Sequence, residues 1–269
     1  MNIVMVIGFL IAFGGILYGY QLEGGVFSAL TSHVSPFLIV FGGTIGIALI
    51  AFPFKNIRRI PGALKLIVLP KKHNYTALVD MLCDIANKAR KDGLLSLEAE
   101  ADKVPDPFIK KGLGYIADGV DPEFLKKVMN SEIDSEYKKY DDAAKVFESM
   151  GGTAPTMGVM GTVMAMITVL SQGTSDTNAL VKNIATAFLA TFFGIGSANL
   201  LWLPISSQIK VVAESESDYR DVVVDGLLAI QAGEPSSRLK DRLYSKVGDV
   251  KSGAKGARGH GDSENNHEE

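Results

Sequence analysis

The chain is poor in the groups that carry out covalent chemistry. It has a single cysteine, Cys83, among 269 residues, so no intrachain disulfide can form. His33, His73, His260 and His267 have no metal-ligand spacing to one another or to Cys83. No Ser-His-Asp or Cys-His order is present, and the phosphate-loop and dinucleotide patterns occur only as near misses. Gly248 and Gly253 precede Ala254 and Lys255 without the Gly-Lys pair, and Gly112, Gly114 and Ala117 fall in a helical context rather than after a strand. No catalytic residue, cofactor or resident metal is therefore expected. At a net charge of -3, nucleic acid is not an expected partner either. The chain is not read as an enzyme.

Charge is missing in a patterned way. Residues 1–20 and 24–54 contain no Asp, Glu, Lys or Arg, and residues 150–172 and 183–209 contain no Asp, Glu, Lys, Arg or His. Apolar runs of about 20 residues suffice for a helix to cross a bilayer. Hydrocarbon cannot satisfy a backbone, so such runs become helices. Of 27 Lys and Arg, 17 lie in residues 55–148, 9 follow Ile209 and one is Lys182. By the positive-inside rule, both termini and the 55–148 segment face the cytoplasm, and the short links 21–33 and 173–181 face outward. Residues 1–20 have no basic n-region, which argues for a first membrane helix rather than a cleaved signal.

The fold class expected is all-α: a polytopic membrane protein with four transmembrane helices and a helical cytoplasmic domain. Residues 1–54 would form transmembrane helices 1 and 2 with a short external loop. Residues 55–149 would be cytoplasmic, 150–209 would form transmembrane helices 3 and 4, and 210–246 would be C-terminal cytoplasmic helices. The tail 247–269 is Gly, Ser, Asn, His and charge, and reads as disordered.

Within this frame, Gly15 and Gly19 in the first helix, and Gly42 and Gly46 in the second, stand four apart. That interval lets helix backbones approach closely, so these glycines are expected to be packing faces. Lys55, Arg58 and Arg59 follow the second helix, where they would meet anionic lipid headgroups. Residues 74–91 place Leu78, Leu82, Ile85 and Ala89 on one helical face. A helix starting near Pro122 is expected to continue into the third membrane helix, and Gly233 to end another.

Pro155 and Pro204 each lie five residues inside the cytoplasmic end of their membrane helices, at similar depth. Each removes a backbone hydrogen bond and can hinge its helix, or is simply a tolerated kink. Thr162 and Thr191 sit near mid-depth; they either bond back to their own helix or line a polar path. A proton or sodium relay needs a membrane-embedded carboxylate or equivalent, and the four runs have none. Either no ion is carried, or a partner's helix supplies the carboxylate.

Phe41-Gly42-Gly43-Thr44, Ala154-Pro155-Thr156-Met157-Gly158, Gly161-Thr162-Val163-Met164, Ala187-Phe188-Leu189-Ala190-Thr191 and Gly226-Leu227-Leu228-Ala229-Ile230-Gln231-Ala232-Gly233 are together specific. Across Met1 to about Arg242 they resemble the flagellar-stator branch of the MotA/TolQ/ExbB proton-channel family. The resemblance implies a ring-forming homo-oligomer, a pentamer, around a dimer of a MotB-type subunit that supplies a membrane aspartate. It implies bacterial flagellum rotation in the cytoplasmic membrane and contact with the rotor protein FliG through residues matching Arg90 and Glu98. Pro155 and Pro204 match the family's membrane prolines, which act in gating or torque, and Thr191 matches its ion-facing threonine. Sodium-driven relatives carry a Thr-Thr pair where this chain has Ala190-Thr191, which points to H+ rather than Na+, although Thr162 also occurs in sodium relatives. The rival readings are an ExbB or TolQ-like energiser, normally with three membrane helices, and a passive membrane scaffold.

Overall fold

The computed structural model describes residues 3–31, 34–172 and 177–256. The elements in those residues are helical throughout. They run α1 (Ile3–Leu22), α2 (Phe27–Thr31), α3 (Val34–Ala51), α4 (Phe54–Ile57), α5 (Ile60–Val68), α6 (Tyr75–Asp92), α7 (Leu97–Ala101), α8 (Pro107–Ala117), α9 (Pro122–Gln172), α10 (Thr177–Ser197), α11 (Leu203–Gln231) and α12 (Ser236–Gly256). The backbone divides into two compact units, residues 1–71 with 138–213 and residues 72–137 with 214–269. α9 and α11 each contribute one part to each unit.

Among the described residues, three stretches are long and apolar enough to cross a membrane: Val34–Ala51, Pro122–Ser171 and Leu180–Gln231. The apolar part of α1, Val6–Leu22, is shorter. The helix starting at Pro122 does run on through the third charge-free segment without a break, because Pro155 is accommodated inside it. α10 and α11 are likewise joined by a π turn, Ala198–Trp202, and α3 contains another, Leu38–Gly42. The first turn of α11 holds Pro204. A proline cannot donate to the helical ladder and its ring crowds the preceding turn, and in the π turn Leu203 N–H reaches back to Ala198 O.

In the first unit, Ala143, Ala144, Phe147, Met150 and Ala154 of α9 pack with Ala48, Ala63, Ile67, Ala198, Trp202 and Ile209. Phe41 and Trp202, one from each π turn, meet edge to face at 6.1 Å. Ser206 donates to Ala144 O at 2.9 Å, which gives a buried hydroxyl its partner. Where the chain leaves the apolar stretch, Arg59 pairs with Asp142 and Lys210 with Glu148.

The second unit has its own core, with Leu82, Leu97, Leu113, Leu125, Leu227 and Leu243 all fully buried. The expected face of α6 is the buried one, Leu78, Leu82, Ile85 and Ala89. Side-chain caps set the helix starts: Asn74 accepts from Ala77 N, Asp106 from Phe108 N and Asp121 from Glu123 N. Gly233, at φ +67°, ends α11. Gly112, half of the dinucleotide near miss, is a packing residue, since a Cβ there would stand 2.3 Å from Leu227 Cδ1. Beside this core Arg220 lies over the Phe108 ring and pairs with Glu136 and Glu216, while His73 reaches Glu216 at 2.8 Å. Burial and neighbouring carboxylates push the Tyr219 hydroxyl up to about 12.

The tail departs from expectation over its first part. α12 continues to Gly256, and Val247 is buried in the second unit's core. Residues 257–269 lie outside the described residues, as do His33, His260 and His267. Deleting 247–269 is therefore expected to lower the melting temperature of the purified protein by a few degrees, since a buried Val contributes about 1.5 kcal/mol. Deleting only 257–269 should leave the melting temperature unchanged.

A threonine pair at a backbone-to-backbone helix crossing

α9 and α10 run antiparallel and cross where neither has a side chain. A Cβ on Gly158 would stand 2.9 Å from Ala190 O and 3.3 Å from Thr191 Cα. A Cβ on Gly194 would stand 2.8 Å from Ala154 O and 3.0 Å from Gly158 Cα. Ala154 and Gly158 on one helix, and Ala190 and Gly194 on the other, are the small residues four apart that make the contact. α3 joins this pair through Gly43, where a Cβ would meet Met157 Sδ at 2.5 Å, and through Ile39 beside Gly161.

Gly15, Gly19, Gly42 and Gly46 do not have this role within the chain. Beyond their own helix backbone, no described atom lies within 4 Å of where their Cβ atoms would be. The four-residue spacing identifies a small face but not the helix that covers it.

The crossing brings two hydroxyls together. Thr162 Oγ1 lies 2.7 Å from Thr191 Oγ1, 3.0 Å from Ala187 O and 3.1 Å from Gly158 O. Each hydroxyl has one proton and two lone pairs. The arrangement that makes the most bonds has Thr162 donating to a carbonyl and Thr191 donating to Thr162. Both lone pairs of the Thr191 oxygen are then open to a donor from outside the chain. The pair is half-buried, and its hydrogen-bond partners among the described residues are the two carbonyls and each other. A cavity of about 690 Å³ in this unit lies elsewhere, among α1, α2, α3, α10 and the π turn that follows it; it is lined by residues such as Phe9, Phe13, Phe37 and Phe193, and by neither threonine.

Of the other sequence-derived candidates, Pro155 and Pro204 are half-buried in their helices. Ala190 is 1% exposed, its methyl set against Gly161 rather than beside the hydroxyl pair. Sequence reasoning missed Trp202, stacked on Phe147 at 6.3 Å, and Thr44, fully buried. Trp202 Nε1 and Thr44 Oγ1 have no hydrogen-bond partner among the described residues. Thr44 lies within a turn of Phe41 and Ala48, and its hydroxyl was the available signal.

Arg90 and Glu98 lie in the second unit, on either side of a tight corner. Arg90 is in the last turn of α6 and Glu98 in the first turn of α7. Between them Gly93 takes φ +82°, which favours glycine, and Ser96 Oγ donates to Gly93 O at 2.6 Å. Neighbouring charges are paired: Glu100 accepts from Lys88 at 2.8 Å and Lys103 at 2.7 Å, and those bonds hold its carboxyl below the usual range. Arg90 and Glu98 are both exposed and pair with no described residue.

These features define an all-helical membrane protein with a separate helical unit. Within its apolar helices two hydroxyls, those of Thr162 and Thr191, meet at a tight helix crossing. The family model for the MotA/TolQ/ExbB proton channel family matches residues 100–221, and that for the motility protein A N-terminal region matches residues 6–93. The motility protein A of Bacillus subtilis is 34% identical over 88% of this chain and 87% of its own length. That of Borreliella burgdorferi is 27% identical over 91% and 94%. The flagellar MotAB stator complex from Bacillus subtilis superposes with a TM-score of 0.82 at 33% identity, covering 90% of this chain and 94% of the matched chain. C. jejuni MotAB gives 0.85 at 26% identity, over 91% and 96%. The chain belongs to the MotA/TolQ/ExbB proton channel family, a family of the bacterial inner membrane and not an enzyme class.

Proposed function

We propose that the chain is the flagellar stator subunit that, with a MotB-type partner, couples ion flow across the inner membrane to torque on the rotor. The observation that carries this reading is the half-exposed Thr162–Thr191 pair, which presents unused acceptor capacity where the chain has no carboxylate of its own. A membrane aspartate on the partner completes the path. Protonated, it donates to Thr191; ionised, it loses that bond, so the proton changes how the partner sits against α9 and α10. The chain itself supplies no catalytic group and needs no cofactor. The transported ion is H+.

The assembly is a homopentamer around two partner copies. α1 serves as a fourth span, since about 17 residues already reach across a thin bilayer. Gly15, Gly19, Gly42 and Gly46, open within one chain, are faces for neighbouring helices or lipid. Both termini and the second unit lie in the cytoplasm, where the concentration of Lys and Arg places them. Pro155 and Pro204 act as hinges in the two helices, and Arg90 and Glu98 contact the rotor protein FliG. Exposed charges contribute little to stability but speed and orient a reversible contact.

Replacing Thr162 and Thr191 tests this reading. Thr162→Val frees Thr191 to bond Ala187 O, so the stability change should stay within about 1 kcal/mol. Thr191→Val keeps the shape and removes the outward acceptor. Thr191→Val is expected to cut swimming speed at least severalfold while the protein still co-purifies with its partner and melts normally. Full speed in Thr191→Val would contradict ion passage at this pair.

A further inference from the structure

The second unit buries most of its aliphatic residues, while three rings, Phe124, Tyr137 and Tyr244, are exposed elsewhere on it. Among its described residues only two large aliphatic side chains are exposed, Leu94 at 36% and Leu95 at 78%. They are adjacent, and both lie on the 3-10 turn Leu94–Ser96 between Arg90 and Glu98. The turn is built rigidly. Gly93 enters at φ +82°, Ser96 Oγ and Ser96 N both bond Gly93 O, and Leu97 at its exit is fully buried. The corner therefore holds Leu95 out in solvent while anchoring the residue two positions on. Arg90 and Glu98 are of opposite sign and, like Lys91 and Asp92 between them, pair with no described residue, whereas Lys88, Glu100, Lys103, Asp102 and Lys110 around them are paired.

We infer that Leu95, supported by Leu94, is an apolar anchor of the rotor-docking surface, seated in a hydrophobic pocket of a protein partner that presents an acidic group toward Arg90 and a basic group toward Glu98. The inference rests on the proposed rotor contact and adds the source of its grip. Charges at the rim of an interface set encounter rate and salt dependence, while a desolvated apolar residue at the centre sets dissociation. Charges alone would give a contact that fades as added salt shortens the Debye length. A central leucine gives a component that salt does not screen.

The test is binding of the full-length chain, co-purified with its MotB-type partner, to purified FliG at several salt concentrations. Leu95→Ser is expected to weaken binding about tenfold by faster dissociation, with an unchanged salt slope, and Leu95→Met to restore it. Arg90→Ala and Glu98→Ala should instead flatten the salt slope. If the charge variants lose salt dependence but Leu95→Ser binds like the parent, the apolar anchor is wrong and the rotor contact stands. If neither kind of variant alters binding, the rotor contact itself is wrong, and the anchor falls with it. An unchanged melting temperature in Leu95→Ser separates lost contact from lost fold.

Discussion

Gly194→Val is expected to abolish swimming and to remove the protein from the purified complex, while Gly196→Ala, two residues away, is expected to swim normally. The contrast comes from what each side chain would meet. At Gly194 a Cβ alone would fall 2.8 Å from Ala154 O and 3.0 Å from Gly158 Cα, and both atoms are backbone. A flexible side chain could turn aside; a helix backbone cannot. Overpacking ordinarily costs about 1–3 kcal/mol, and here relief requires α9 and α10 to separate, which also breaks the Thr162 bond to Ala187 O at 3.0 Å. At Gly196 nothing lies within 4 Å of the added methyl. Immunoblots of membranes, co-purification and tracking of cells carrying each variant would distinguish them.

Collapsing the proton gradient with an uncoupler is expected to stop rotation completely, and replacing sodium with potassium to leave speed unchanged. Bare sodium needs several oxygens to replace its hydration shell. The crossing has few to spare, because Thr162 is engaged with Thr191, Ala187 O and Gly158 O. A proton needs one carboxylate and an acceptor. Ala190 offers no route to a second hydroxyl, since its methyl is buried against Gly161. Ala190→Thr should therefore lower the amount of assembled protein instead of creating sodium dependence. Speed that follows sodium at constant proton gradient would contradict proton drive.

Much of the fold was legible because the bilayer imposes simple rules. Charge-free runs located the apolar helices, and unbroken helical periodicity carried α9 from Pro122 past Pro155. The candidate site was legible only in part. The four-residue spacing of small residues drew attention to Gly15, Gly19, Gly42 and Gly46, yet the same spacing in Ala154–Gly158 and Ala190–Gly194 makes the contact. Spacing reports that a face is small, and only the partner helix decides whether it is used. Thr162 and Thr191 could be assigned similar depth but not a bond, since rotation about each helix axis is set by the glycines. The π turns, and with them the Phe41–Trp202 contact, leave no residue pattern of their own. Val247 shows the opposite limit. One apolar residue in a polar stretch carries too little signal to reveal that a core is waiting for it.

The measurement to make is cryo-EM of the chain co-purified with its MotB-type partner in a lipid environment. Five copies around two partner helices are expected, with a partner carboxylate at about hydrogen-bond distance, roughly 3 Å, from Thr191 Oγ1 in at least one subunit. A stable assembly whose partner helix places no carboxylate at the depth of Thr162 and Thr191 would contradict ion passage at this crossing.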